Sequence, residues 1–404
     1  MKYLVVSALC VWSAGAAWAQ GAEPDAGVVA EAPKAEPVVV KIAMGKGLTV
    51  SKGEGLSMNI RARIQLRDVV SVQGAAVANE LSLRTARLFI SGKVLSPDAG
   101  YFVQLALGAN DFETGISSPV FDAYLEYTGW RDVQLRAGQF FVPFDRARTI
   151  REVALQMVDR QQVITELALD RDLGIVISSQ DLFGWGGRVT YALGFFGGQG
   201  KNRVTPEKKP GFLYSARIAI KPMGAFDDDV EADLDRTPHP HLAIGVAAAF
   251  NQDTSRQKSL SGTVFTLGGF DTVHLAADVV FKFKGLSLLA EALMRQATVA
   301  MHEGELNGAP LKEYSRSGWG YLVQAGYLVT SRVEITARWD QLRFLAGDPA
   351  LATLVAQQGR ELGVGLNVYL NGHQGKIQGD YSLRFGEGSV AATHLVRVAL
   401  DVSF

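Results

Sequence analysis

Thr393–Phe404 reads THLVRVALDVSF. Val396, Val398, Leu400, Val402 and Phe404 fall on one side of an extended strand. Thr393, Leu395, Arg397, Ala399, Asp401 and Ser403 fall on the other, because strand side chains alternate faces. One face is apolar and the other mostly polar. An exposed apolar strand at the edge of a water-soluble sheet is an aggregation hazard. The last strand of a membrane barrel has lipid on that face and a pairing partner along its edge. The two readings, soluble sheet edge and barrel seam, are separated by the rest of the chain.

Working back to the start, Lys2, the apolar run Leu4–Trp12 and the Ala17-Trp18-Ala19 triplet have the layout of a secretory signal, with cleavage expected between Ala19 and Gln20. The run is too short to span a bilayer as a helix. Cys10 is the single cysteine and falls inside that segment, so disulfides and thiolate metal sites are excluded from the mature chain. Residues 20–47 are rich in Ala, Pro, Glu and Val and read as a flexible periplasmic leader. No later stretch holds enough uninterrupted apolar residues for a transmembrane helix. Apolar residues nevertheless make up 48% of the chain, and the net charge is −1, so no anionic partner is announced by the overall balance.

From Leu56 onward the hydrophobic period is two. Met58, Ile60, Ala62, Ile64 and Leu66 alternate with Asn59, Arg61, Arg63, Gln65 and Arg67. Sixteen such segments follow one another, starting at Leu56, Leu81, Tyr101, Val120, Val133, Leu173, Arg188, Phe212, Leu242, Val273, Leu286, Trp319, Val333, Leu362, Lys376 and Leu395. Most are about ten residues long, the length of a tilted membrane-crossing strand. Their connections alternate between tight (Ser96–Gly100, Thr128–Asp132, Lys284-Gly285, Thr330–Arg332, Asn371–His373) and long (Asp68–Asn79, Ala109–Pro119, Pro143–Asp170, Gly197–Pro210, Gln252–Gly269, Ala300–Ser315, Leu345–Gly359). Periplasmic turns on one rim and extracellular loops on the other produce that rhythm. Met223–Pro240 departs from it, being long on the turn side. Aromatics such as Tyr101, Tyr127, Trp130, Trp319 and Tyr327 recur near strand ends, as interfacial girdles require.

The longest connection carries helical signals. Thr149 with Glu152 has capping-box spacing, and Ile150, Val153, Ala154, Met157 and Val158 recur at helical intervals. A barrel this wide leaves an aqueous bore, so this loop is expected to fold inward and to place Asp145, Glu152 and Asp159 at a constriction.

Five blocks in this order resemble one family. They are Arg84–Lys93 (RTARLFISGK), Phe121–Tyr127 (FDAYLEY), Leu135–Phe144 (LRAGQFFVPF), Arg171–Ile175 (RDLGI) and Tyr191–Gly200 (YALGFFGGQG). Together they are similar to the phosphate-selective porin O and P family, and the strand ending in Phe404 resembles the closing strand of bacterial outer-membrane proteins. The resemblance implies a 16-stranded antiparallel transmembrane barrel over residues 48–404 and, usually, a homotrimer. It also implies insertion by the barrel-assembly machinery through the C-terminal strand. Family archetypes pass phosphate or polyphosphate along an arginine ladder.

The residues themselves supply donors for such a ladder. Arg61, Arg63 and Arg67 share the polar face of the first strand; Arg87 and Lys93 share a face of the second, with Arg84 on the opposite parity; Arg136 faces inward from the fifth; Arg146, Arg148 and Arg151 open the long loop. Guanidinium stays charged and forks onto oxyanions, and rings of basic side chains are the expected filter of an anion pore. General porins set arginines against loop acids instead, and the stretch Pro143–Asp172 holds several acids but no lysine. A weakly selective general channel therefore stands beside the small-anion channel. An enzyme or adhesin is the remote third reading. No G-x-S-x-G or H-E-x-x-H occurs. His239 and His241 flank a proline beside a turn; His274 and Glu291 lie on adjacent strands with Ser287 nearby in sequence, a set that a barrel lipase could use, while polar lumen residues are expected of any channel. The acidic run Asp227–Asp235 lacks the central Gly and closing Glu of a calcium loop and reads as a solvated turn. Nothing suggests a cofactor, a metal or nucleic acid. Outer-membrane lipid and small anions are the expected partners.

Overall fold

The computed structural model describes residues 36–108, 111–112, 118–203 and 211–404. The signal segment with Ala19 and Gln20, the leader up to residue 35, and parts of two loops lie outside the described residues.

Among the described residues twenty strands occur in chain order: β1 (Val38–Ala43), β2 (Gly47–Lys52), β3 (Leu56–Gln73), β4 (Ala76–Val94), β5 (Ser96–Ala106), β6 (Val120–Tyr127), β7 (Gln134–Phe141), β8 (Arg171–Ser179), β9 (Val189–Phe196), β10 (Leu213–Ile220), β11 (His241–Thr254), β12 (Phe270–Phe283), β13 (Leu286–Ala297), β14 (Met301–Leu306), β15 (Ala309–Tyr314), β16 (Arg316–Leu328), β17 (Val333–Gly347), β18 (Arg360–Tyr369), β19 (Gly375–Phe385) and β20 (Thr393–Ser403). Sixteen of them, β3–β13 and β16–β20, pair antiparallel with their chain neighbours and close into a barrel. Closure removes every edge at membrane depth, which lipid demands. The seam runs from Thr393↔Gln73 to Ser403↔Arg63. Beyond it Phe404 and Ala62 exchange both backbone hydrogen bonds, at 2.9 and 2.7 Å.

The alternation in β20 is the alternation of the wall. Val396, Val398, Leu400 and Val402 are exposed outward, while Leu395, Arg397, Ala399 and Asp401 are buried inward. The same pattern recurs around the barrel and gives an apolar outer band for lipid. No helix among the described residues is long and apolar enough to cross a membrane.

Three expectations need correction. The stretch 38–47, placed by composition in a flexible leader, forms β1 and the turn into β2. β2 pairs with β3 from Leu48↔Ile60 to Lys52↔Leu56, taking up the edge of β3 that β20 leaves free. The loop expected at Asp68–Asn79 does not exist as a loop. β3 stays paired with β20 as far as Gln73, β4 runs on beyond its pairing with β5, and the two turn at Gly74-Ala75, with Gly74 at φ +58°, a conformation glycine adopts without the Cβ penalty. The stretch 300–315 likewise carries a hairpin, β14–β15.

Residues 142–170 lie against the inner wall. They contain α1 (Arg146–Thr149), a 3-10 turn (Glu152–Ala154) and α2 (Gln162–Leu167). Phe144, Ala147, Val163, Ile164, Leu167 and Leu169 form an apolar core with inward residues Ala247, Leu289, Leu293, Leu322 and Leu342. Buried carboxylates of the wall then bind the loop backbone. Glu291 accepts from Arg146 and Ala147 N–H at 2.8 and 2.9 Å, Asp380 from Val158 at 2.8 Å, and Asp340 from Gln162 at 2.5 Å. The capping box anticipated at Thr149 is not formed. Asp145 caps α1 instead, accepting from Arg148 N–H at 2.7 Å, and the Glu152 carboxylate is drawn to wall arginines.

Candidate functional site

With one side of the bore occupied by residues 142–170, a cavity of about 780 Å³ remains between that segment and the β3–β8 wall. Strand alternation aims β3 and β4 side chains into it, and two β-bulges adjust the aim. Gln65 pairs with Thr85 and Leu66 with Leu83, so Arg84 is the extra residue of β4. Gln104 pairs with Asp122 and Leu105 with Val120, so Phe121 is the extra residue of β6. A bulge re-aims the side chains around it, and Arg84, Phe121 and Asp122 all line the cavity.

Of the basic residues proposed from sequence, Arg61, Arg63, Arg87, Arg136, Arg148 and Arg151 line this cavity. Most are paired. Arg63 forks onto Asp401 at 2.9 and 2.5 Å and lies 3.5 Å from Glu152. Arg87 holds Asp111 at 2.7 Å and Glu152 at 3.2 Å. Arg136 meets Glu126 at 3.0 Å, and Arg148 meets Asp170 at 2.6 Å. Arg61 and Arg151 are different: among the described residues neither has a carboxylate within ion-pair distance. Arg61 lies over the Phe89 ring at 5.5 Å and Arg151 over Phe102 at 5.4 Å.

Arg67, Lys93 and Arg146 fall outside the cavity lining. Arg67 bridges Asp159 and Glu80 at 2.9 and 2.8 Å. Lys93 lies beside the start of β3, its backbone N–H donating to Ser57 Oγ at 3.0 Å. Arg146 turns from the cavity into the wall and pairs with Asp278 and Asp228, both at 2.7 Å. Of the three loop acids proposed from sequence, Asp145, Glu152 and Asp159, only Glu152 lines the cavity. Burial opposes its charge, but Arg87, Arg63, Arg84 and Arg160 outweigh this and hold its carboxyl well below the ordinary value. Asp145 is consumed by its cap. Asp159 is held by Arg67 at 2.9 Å and lies 3.6 Å from Arg397.

Sequence reasoning missed Arg160 and Arg171. Arg160 donates to the Ala147 and Ile150 carbonyls. Arg171 forks onto Asp122 at 2.8 and 3.2 Å and lies 3.7 Å from the Phe141 ring centroid. Their participation depends on how the loop folds back, which spacing does not carry. Arg84 was visible but misplaced, since a bulge changes parity locally.

The acidic run 227–235 is not a solvated turn. Asp228, Glu231 and Asp233 are buried. Asp228 pairs with Arg146 and with Lys221 (2.6 Å), Glu231 accepts from Gln156 N–H at 2.6 Å, and its own N–H donates to the Ala154 carbonyl at 3.3 Å. The long connection on the turn side thus meets the 142–170 segment inside the barrel. Burial opposes ionisation of Asp228, yet Arg146 and Lys221 overcome it and keep its carboxyl below the ordinary value. Its contribution is therefore complete above the unfolded carboxyl value near ~4 and fades as pH falls through the lower folded value. Hydrogen exchange of residues 223–236, corrected for intrinsic rate, should rise as pH drops below about 4. Asp228→Asn should give the raised exchange already at neutral pH; unchanged protection in that variant would show that the ion pairs do not hold the turn.

His274, Ser287 and Glu291 do not form a triad. His274 Nε2 sits 3.1 Å from Thr272 Oγ1 and Ser259 Oγ, Ser287 accepts from Gln156, and Glu291 holds α1. No group of three metal-ligating side chains occurs among the described residues.

Three of the solved structures that share this architecture illustrate it. They are an anion-selective porin from Comamonas acidovorans (12% identity, TM-score 0.52, 86% of this chain and 99% of that one), Salmonella typhi OmpF in complex with daunomycin (12%, 0.56, 88% and 99%) and the outer-membrane channel DcaP of Acinetobacter baumannii (12%, 0.53, 88% and 99%). At that identity they establish the fold alone. No curated protein sequence matches significantly. The sequence model of "Phosphate-selective porin O and P" matches residues 56–338, from the first barrel strand into β17. The chain belongs to the phosphate-selective porin O and P family and is a non-enzymatic diffusion channel of the bacterial outer membrane.

Proposed function

We propose that the channel passes small anions in preference to cations, phosphate among them, and that Arg61 and Arg151 set the preference. The observation that carries this reading is their state: two guanidiniums facing the cavity over neighbouring rings with no carboxylate among the described residues within ion-pair distance. Among the described residues, cationic side chains on the cavity also outnumber acids. An unpaired arginine costs a passing anion less dehydration than a paired one, because its donors are not already spent. Residues 142–170 serve as the constriction by confining solutes to the β3–β8 side. Wall arginines that already hold carboxylates, such as Arg87, Arg136 and Arg171, favour the second reading, a weakly selective porin with a transverse field.

The test is current through purified, refolded protein in a planar bilayer under a potassium chloride gradient. A zero-current potential of the anion-selective sign is expected, followed by saturable block of chloride current as phosphate is titrated in. Anion preference without block would place phosphate among the unselected anions. No preference would leave the general porin. A homotrimer is proposed with this reading on the family likeness, and sedimentation in detergent reports it.

A further inference from the structure

We infer that the ring-backed arginines of the cavity form a binding shelf for planar aromatic carboxylates. The inference rests on the anion-channel reading and adds a substrate class to it. Phe89, Phe102, Tyr124 and Phe140 lie side by side on β4, β5, β6 and β7. Successive centroids are 6.3, 5.3 and 5.6 Å apart, and the Phe102–Tyr124 pair is stacked. Lumen positions of a porin that served only hydrated inorganic ions have no need of a row of rings. Three guanidiniums cover this row: Arg61 over Phe89 at 5.5 Å, Arg151 over Phe102 at 5.4 Å and Arg136 over Tyr124 at 4.6 Å.

A ring beneath a guanidinium takes one face of it. Both Arg61 and Arg151 line the cavity, and among the described residues no carboxylate lies within ion-pair distance of either guanidinium. A guanidinium offers two kinds of contact at once, a flat π-face for stacking and in-plane donors for a carboxylate. A tetrahedral phosphate can use only the donors, and so can an aliphatic carboxylate. A benzoate-type anion uses both, stacking its ring on one guanidinium while its carboxylate accepts from the neighbouring one. The two guanidiniums lie over rings only 6.3 Å apart at their centroids, a separation that one flat aromatic acid bridges. The cavity, at about 780 Å³, is within the ~300–1,000 Å³ range of small-molecule sites.

The experiment titrates benzoate, cyclohexanecarboxylate and acetate separately against chloride current through the bilayer-inserted protein. The three anions share a carboxylate; the first two share a six-carbon ring and differ in planarity and π-character. Half-block by benzoate is expected at about tenfold lower concentration than by cyclohexanecarboxylate, the factor that one guanidinium–ring stack supplies. Equal half-block by these two, in a channel that is still anion-selective, overturns the shelf and leaves the anion reading standing. A cation-preferring channel overturns both. Phe102→Leu, checked for folding by its heat-modifiable gel migration, removes the ring under Arg151 and is expected to erase most of the benzoate advantage. A full advantage in that variant would also overturn the shelf.

Discussion

Asp401→Ala is expected to lower the unfolding free energy by about 3–5 kcal/mol, the range for breaking one side of a buried ion pair. Asp401 is fully buried on β20, and Arg63 is 3% exposed on β3. The guanidinium forks onto the carboxylate with bonds of 2.9 and 2.5 Å, so the pair ties the last strand to the first across the seam that closes the barrel. Removing the carboxylate leaves a buried guanidinium with only Glu152 at 3.5 Å in its place. That residue is itself shared with Arg87. Equilibrium urea unfolding in lipid vesicles, followed by tryptophan fluorescence, reads the loss. A change under about 1 kcal/mol would mean that backbone pairing and outer apolar contacts hold the seam without this fork. The double variant Arg63→Met with Asp401→Leu should recover most of the stability, since replacing both partners removes the uncompensated charge.

How much of this was legible depends on the range of the interaction. Period-two alternation is local, and each of the sixteen segments read from it became a barrel strand. The outer face of β20 and the inner position of Arg63 followed from parity alone. Parity fails at a bulge, and the extra residue in β4 put Arg84 on the cavity against its sequence position. Glu152 shows a different limit. Its spacing from Thr149 suits a capping box, but four guanidiniums inside the barrel compete for the same carboxylate, and long-range charge wins over a local cap. Arg146 and Arg151, five residues apart in one basic stretch, have opposite fates. One is neutralised by Asp278 and Asp228 from elsewhere in the chain, and the other is left facing the cavity. Nothing in the stretch 143–172 distinguishes them, because their partners are set by where the loop lands. The acidic run 227–235 is the same case from the other side. Its charges look solvated until Arg146 and Lys221 are placed beside Asp228.

That distinction between neutralised and free arginines sets the second large effect. Arg61→Glu combined with Arg151→Glu should reverse the sign of the zero-current potential in a potassium chloride gradient. A unit charge about 7 Å from a passing ion contributes roughly 0.6 kcal/mol in a water-like dielectric, and reversing two of them shifts an anion by about 2.4 kcal/mol and a cation by as much in the opposite direction. Screening at ~0.1 M salt trims the sum, and the remainder still moves the anion-to-cation permeability ratio by at least about tenfold. The shift should shrink at high salt, which a change of pore diameter would not do. Among the described residues neither arginine holds a carboxylate, so the exchange strands no buried partner there and the barrel should fold. Arg63 is unsuited to this test because its loss breaks the seam. Lys93→Glu changes the same net charge per site from outside the cavity and serves as the control, with the potential keeping its sign. An unaltered sign in the Arg61/Arg151 variant would take both residues off the permeation path, and the preference would then have to come from arginines that already hold carboxylates.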